Sequence, residues 1–67
     1  MFEVGDIVEV IGPDMWGADC CLFRPIMVVG RHDPDDKKAE YKCHYPEDSL
    51  DYGVWFPETS LKLVENA

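Results

Sequence analysis

Positive charge is scarce in this sequence: six Lys and Arg stand against fourteen Asp and Glu, for a formal net charge of −8 at neutral pH. Nucleic-acid backbones are held by Lys and Arg that displace condensed counterions, so this balance argues against a direct nucleic-acid binder. An anionic membrane surface is repelled for the same reason. No apolar run approaches the roughly 20 residues that cross a bilayer. The opening Met1-Phe2-Glu3-Val4-Gly5-Asp6 lacks the basic start and apolar core of a secretory signal. Cysteine is sparse and odd in number, at Cys20, Cys21 and Cys43. Together these features predict free thiols in a reducing, cytoplasmic compartment.

Catalytic signatures are missing too. No Gly-x-Ser-x-Gly, phosphate-binding loop or His-Glu-x-x-His occurs. A dyad of a Cys with His32 or His44 is possible in principle, but 67 residues make one small domain with little room for a deep, dry cleft. The expectation is a protein that is not an enzyme. Cys20, Cys21, Cys43, His44 and His32 supply soft ligand atoms. They lack the paired spacing of about two to four residues that structural zinc sites use, and buried apolar thiols are the plainer reading. Asp33-Pro34-Asp35-Asp36 lacks the glycine and late glutamate of an EF-hand loop and runs directly into Lys37 and Lys38. It reads as a solvated hairpin turn, and no metal or cofactor is expected.

What is present is 46% hydrophobic residues broken into short segments, a composition that folds. Ile7 to Ile11 alternates Val8 and Val10 with Glu9, a half-buried strand ended by Gly12-Pro13-Asp14. An irregular stretch over 13–24 holds Met15, Trp16, Gly17, Cys20 and Cys21. Ile26 to Arg31 contains a continuous apolar run, consistent with burial on both sides or with a strand that crosses a barrel. Ala39, Tyr41, Cys43 and Tyr45 alternate with Glu40, Lys42 and His44 in the third strand. After the Pro46-Glu47-Asp48-Ser49 turn, Asp51 to Phe56 reads as the fourth strand. Pro57-Glu58-Thr59-Ser60 suits a single 3-10 turn before a last strand in which Leu61 and Leu63 face one way. Five short strands punctuated by Pro, Gly and Asp predict an all-β fold, a small five-stranded barrel.

The two ends strengthen that prediction. Phe2-Glu3-Val4-Gly5-Asp6-Ile7-Val8-Glu9-Val10-Ile11 resembles the first strand of SH3-like barrels, where a Gly-Asp turn precedes an alternating valine strand. Trp55-Phe56-Pro57-Glu58-Thr59-Ser60-Leu61-Lys62-Leu63-Val64 resembles their closing hairpin, where an aromatic-Pro pair leads through a 3-10 turn into the last strand. The resemblance is to the SH3-like small β-barrel superfamily, including bacterial and phage SH3-like domains and Mind bomb-type domains. It implies the fold. The Ala-Leu-Tyr-Asp-Tyr pattern and the Trp-Trp pair of signalling SH3 domains are missing here, so proline-peptide recognition is not carried over.

Trp16, between Met15 and Gly17, is the leading candidate contact. A loop Trp is a frequent interface anchor; the other reading makes it a lid over a barrel too small to close itself. Trp55 and Phe56 are consecutive and point to opposite faces of a strand. The series Tyr52, Val54, Phe56 puts Phe56 inward and Trp55 outward, although a slip of one residue reverses this. An outward Trp55 near Trp16 would form an aromatic groove. The predicted binding set is therefore Trp16, Met15, Tyr52 and Trp55, rimmed by Asp14, Asp19, Asp48 and Asp51. Such a rim steers a basic partner. The function expected is a protein-binding accessory domain of a bacterium or phage. The alternative is an acidic inhibitor that mimics nucleic-acid charge and blocks a basic host enzyme.

Overall fold

Alternation in the sequence becomes alternation in burial. In the computed structural model, which describes residues 1–19, 21–32 and 40–67, the strands are β1 (Ile7–Val10), β2 (Ile26–His32), β3 (Glu40–His44), β4 (Val54–Pro57) and β5 (Leu61–Glu65). Within β1 the side chains of Val8 and Val10 are buried while Ile7 and Glu9 are half-buried. Within β3 Tyr41 and Cys43 are buried while Glu40, Lys42 and His44 are half-buried. The all-β expectation holds. All five strands are antiparallel in one sheet of order β4-β3-β2-β1-β5. Among the described residues no helix is long and apolar enough to cross a membrane. The expected turn at Asp33 to Asp36, together with Cys20 and Ala39, lies outside the described residues.

Register carries the inward residues into one cluster. Val8 faces Met27, Val29 faces Cys43, and Tyr41 faces Phe56. With Val10, Cys21 and Leu61 these form the core, and Phe2, Tyr45 and Val54 pack against it. Each large side chain so buried contributes about 1.5–3 kcal/mol. Tyr41 is fully buried. Its hydroxyl accepts the Phe2 N–H at 3.1 Å, and the Phe2 ring meets its edge with centroids 5.2 Å apart. Asp6, which the sequence offers only as a turn residue, is also buried. Its carboxylate accepts the N–H of Glu3 at 2.9 Å and of Ala67 at 2.8 Å, tying residues far apart in the chain to one anchor.

The structure refines three expectations. The barrel is not closed by strand pairing: β4 and β5 are the two edges of the sheet, and among the described residues no ladder joins them. The 3-10 turn Glu58–Ser60 redirects the chain between them, and loop backbone meets their edge groups. The Ile11 N–H bonds the Ser60 carbonyl at 2.8 Å, and the Met15 N–H bonds the Trp55 carbonyl at 3.0 Å. Secondly, the fourth strand does not begin at Asp51. Tyr52 and Gly53 donate their N–H groups to Ser49 and Leu50, which makes Leu50–Tyr52 a further 3-10 turn and leaves those donors unavailable to a ladder. There are thus two such turns among the described residues, not one. Leu61 and Leu63 do face one way, opposite Val10 and Val8, although Leu61 is buried and Leu63, nearer the end of an edge strand, is 42% exposed. Lastly, the run Ile26 to Val29 is buried on one side: Met27 and Val29 are inward, whereas Ile26 is exposed and Val28 half-buried.

The β2–β3 pairing contains a register shift between Val29 and Arg31, so Gly30 is the extra residue of a bulge. A methyl group there would run into Leu50 Cδ1 and come within 2.8 Å of His44 Cδ2. The His44 ring has little freedom to retreat, since its Nδ1 lies 2.8 Å from the Tyr45 carbonyl oxygen. Gly30→Ala is expected to cost about 1–3 kcal/mol through overpacking, read as a lower urea midpoint with an unchanged slope; a midpoint equal to wild type would show that the bulge has room.

Candidate functional site

The segment between β1 and β2 is irregular in shape but firmly attached. Where β1 ends, the Ser60 hydroxyl donates to the Pro13 carbonyl at 2.7 Å. Asp14 then folds the chain on itself, as Asp side chains do when they accept from backbone just ahead of them. Its Oδ1 accepts the N–H of Trp16 at 2.8 Å and of Ala18 at 2.9 Å. Its own N–H and carbonyl bond Ala18 and Gly17, each at 3.0 Å. Gly17 sits at φ +80°, a left-handed conformation that a residue without Cβ adopts freely. The Met15–Trp55 hydrogen bond fixes this turn to β4.

On that support Trp16 is 76% exposed. A ring so open to solvent projects from the surface and does not cover the core. Met15 behind it is half-buried. Trp55 lies on the outward face of β4, directly opposite Lys42, while Phe56 pairs inward with Tyr41. Trp55 is half-buried, and Tyr52, in the 3-10 turn that leads into β4, is 78% exposed. The structure therefore places Met15, Trp16, Tyr52 and Trp55 around one strand. Of their rings, those of Trp16 and Tyr52 are exposed and that of Trp55 is half-buried.

The four acidic positions have different surroundings. Asp14 is occupied in building the turn. Asp19 is exposed in a second turn, where its carbonyl accepts the Leu22 N–H at 3.1 Å. Asp48 and Asp51 are exposed between β3 and β4. Arg24 joins these regions. Its guanidinium lies 4.2 Å from the centroid of the Tyr45 ring and pairs with Glu47, and the Tyr45 hydroxyl donates to the Arg24 carbonyl at 2.9 Å. Sequence reasoning passed over Arg24 and also Phe23, which is 85% exposed beside it. An aromatic flanked by Leu22 and Arg24 in a stretch without strand pattern was the available signal.

Burial, and then neighbouring Cys21, push the Cys43 thiol from its ordinary 9.0 up to about 12, whereas a reactive thiol needs a lowered value. Among the described residues no three His, Cys, Asp or Glu side chains gather so as to hold a metal ion. Comparison with protein-family models, curated proteins and solved structures finds no match to the chain.

Two measurements test this description. Asp14→Ala should release the Trp16 and Ala18 amides, a loss of about 1 kcal/mol that speeds their hydrogen exchange roughly fivefold, while Asp19→Ala leaves them unchanged; equal effects would assign the turn no special dependence on Asp14. The Cys43 shift has a definite sign. An unfolded thiol ionises above about 9 and the folded one only near 12, so the neutral thiol's contribution to stability is complete below pH 9 and is lost as pH rises toward 12. The stability gap between wild type and Cys43→Ala should therefore narrow between about pH 8 and pH 11; a constant gap in urea midpoints would contradict the shift.

Proposed function

We propose that this chain is a non-catalytic protein-binding domain of the SH3-like barrel kind, in which Trp16 is the principal anchor. One observation carries the reading. A large aromatic ring stands 76% exposed on a turn whose backbone is hydrogen-bonded to the Asp14 carboxylate and to β4. Holding such a ring in solvent has no benefit for the core, and a rigid support reduces the entropy lost when a partner covers it. Tyr52 and Trp55 extend the contact along β4, and Asp19, Asp48 and Asp51 form its acidic rim. The 3-10 turn that follows Phe56-Pro57 and leads into β5 supports the family likeness.

The net charge of −8 draws a basic protein partner and sets the rate of encounter more than the affinity. Engagement of the Asp6, Asp14 and Glu47 carboxylates within the fold leaves fewer of them to imitate phosphates. This favours a binding module over a nucleic-acid mimic that blocks a basic enzyme. Affinity capture from cell lysate separates the two. The anchored module predicts a specific partner retained from about 50 to 500 mM salt and lost on Trp16→Ala, a change worth 2 kcal/mol or more at a hot spot, roughly thirtyfold in affinity. Capture indifferent to Trp16→Ala would defeat the reading, and capture lost with salt alone would favour the mimic.

A further inference from the structure

β2 turns over in mid-strand. Met27 and Val29 are buried, and in an unbroken strand Arg31 would follow them inward. The extra residue at Gly30 reverses this. His32 turns toward the core and stacks on Tyr41, with ring centroids 4.5 Å apart and planes within 15°. Arg31 is left exposed on the outer face. From there the register is continuous: Arg31 stands opposite Lys42, and Lys42 opposite Trp55. Residues directly opposite in antiparallel strands share a face, so Arg31, Lys42 and Trp55 form one row across β2, β3 and β4.

This row is unusual for the chain that contains it. Only six basic side chains are present in the sequence, yet two of them face each other, an arrangement that destabilises a sheet. Among the described residues the ion pairs belong to Arg24 and to the amine of residue 1, not to Arg31 or Lys42. Glu40, the carboxylate two residues along the same face, is itself engaged. The Lys42 stem passes close to Gly53, where a Cβ would lie 3.0 Å from its Cγ, and Trp55 stands directly opposite Lys42. Bulges that re-aim a side chain recur beside functional sites. Here the bulge places a second cation beside Lys42, in the row that Trp55 ends.

We propose that Arg31 and Lys42 receive a carboxylate side chain of the protein segment that docks on Trp16 and Trp55, so that the segment presents an acidic residue next to an apolar one. This rests on the protein-binding reading above and specifies its partner. Long-range attraction to the acidic domain and a local acidic contact are compatible, because the first depends on the whole charge and the second on the two cations within reach. Two cations in a domain of net charge −8 are too few to hold a nucleic-acid backbone.

The test uses the full chain labelled with ¹⁵N and two capped peptides, one alternating leucine with glutamate and one alternating leucine with lysine. The leucine–glutamate peptide should move the amides of Arg31, Lys42 and Trp55 and the Trp55 indole signal. Replacing both cations, Arg31→Gln with Lys42→Gln, should weaken its binding about three- to tenfold with signal dispersion retained. Trp16→Ala should weaken both peptides. If the leucine–lysine peptide moves the β3–β4 amides more strongly, or the double variant binds the acidic peptide as well as wild type, the carboxylate assignment is wrong while the protein-binding reading stands. If neither peptide moves the signals of Trp16 or Trp55, both fail. A short oligothymidylate that binds the row more tightly than the acidic peptide would replace the assignment with a nucleic-acid one.

Discussion

The bulge at Gly30 sets the identity of the two faces of this sheet. Side chains in a strand alternate, so one inserted residue exchanges the inward and outward sets for everything that follows. Upstream of it Met27 and Val29 enter the core; downstream His32 stacks on Tyr41 and Arg31 is turned to solvent. The position tolerates no larger residue without displacement, because Leu50 and His44 already occupy the space above it. That contact also brings the 3-10 turn Leu50–Tyr52 against β2, and so positions the approach to β4. Core packing, the start of β4 and the charge of the outer face thus depend on a single close approach.

The long loop shows how a segment without regular structure is made to hold its shape. It is fastened to Ser60, to Trp55, to Tyr45 and Glu47, and through buried Cys21 to the core. Between the first two attachments the Asp14 carboxylate replaces the ladder bonds that a strand would supply. The outcome is a turn that holds Trp16 outward. Buried Asp6 does equivalent work elsewhere, where one carboxylate holds the N–H groups of residues 3 and 67.

Strand existence was legible because β1 and β3 are buried on one side and alternate cleanly. Boundaries were less so. Asp51-Tyr52 continues an apolar pattern into Val54 and Phe56, but local hydrogen bonds within Ser49 to Gly53 prevail over that pattern. Leu63 matches Leu61 in spacing and differs in burial, since spacing carries no information on whether a neighbour lies above. Trp16 and Tyr52 could be chosen as candidates from residue type and loop position. Asp14 could not be distinguished from Asp19, because the two differ only in what their carboxylates accept. Arg31 was hidden for another reason: the alternation rule assigns it to the core, and only an inserted residue in the pairing contradicts the rule.

By itself the sequence determined the β class, the punctuation by Pro, Gly and Asp, the inward residues of β1 and β3, and the charge that disfavours phosphate ligands. Those properties follow from local preference and from side-chain transfer between water and an apolar interior, and both are written residue by residue. The tertiary structure alone decided the order of the strands and the role of Asp6. It also decided the exposure of Trp16 and the row of Arg31, Lys42 and Trp55. Each of these is a relation between segments far apart in the chain, set by register and packing, and neither is a property of any single stretch of sequence.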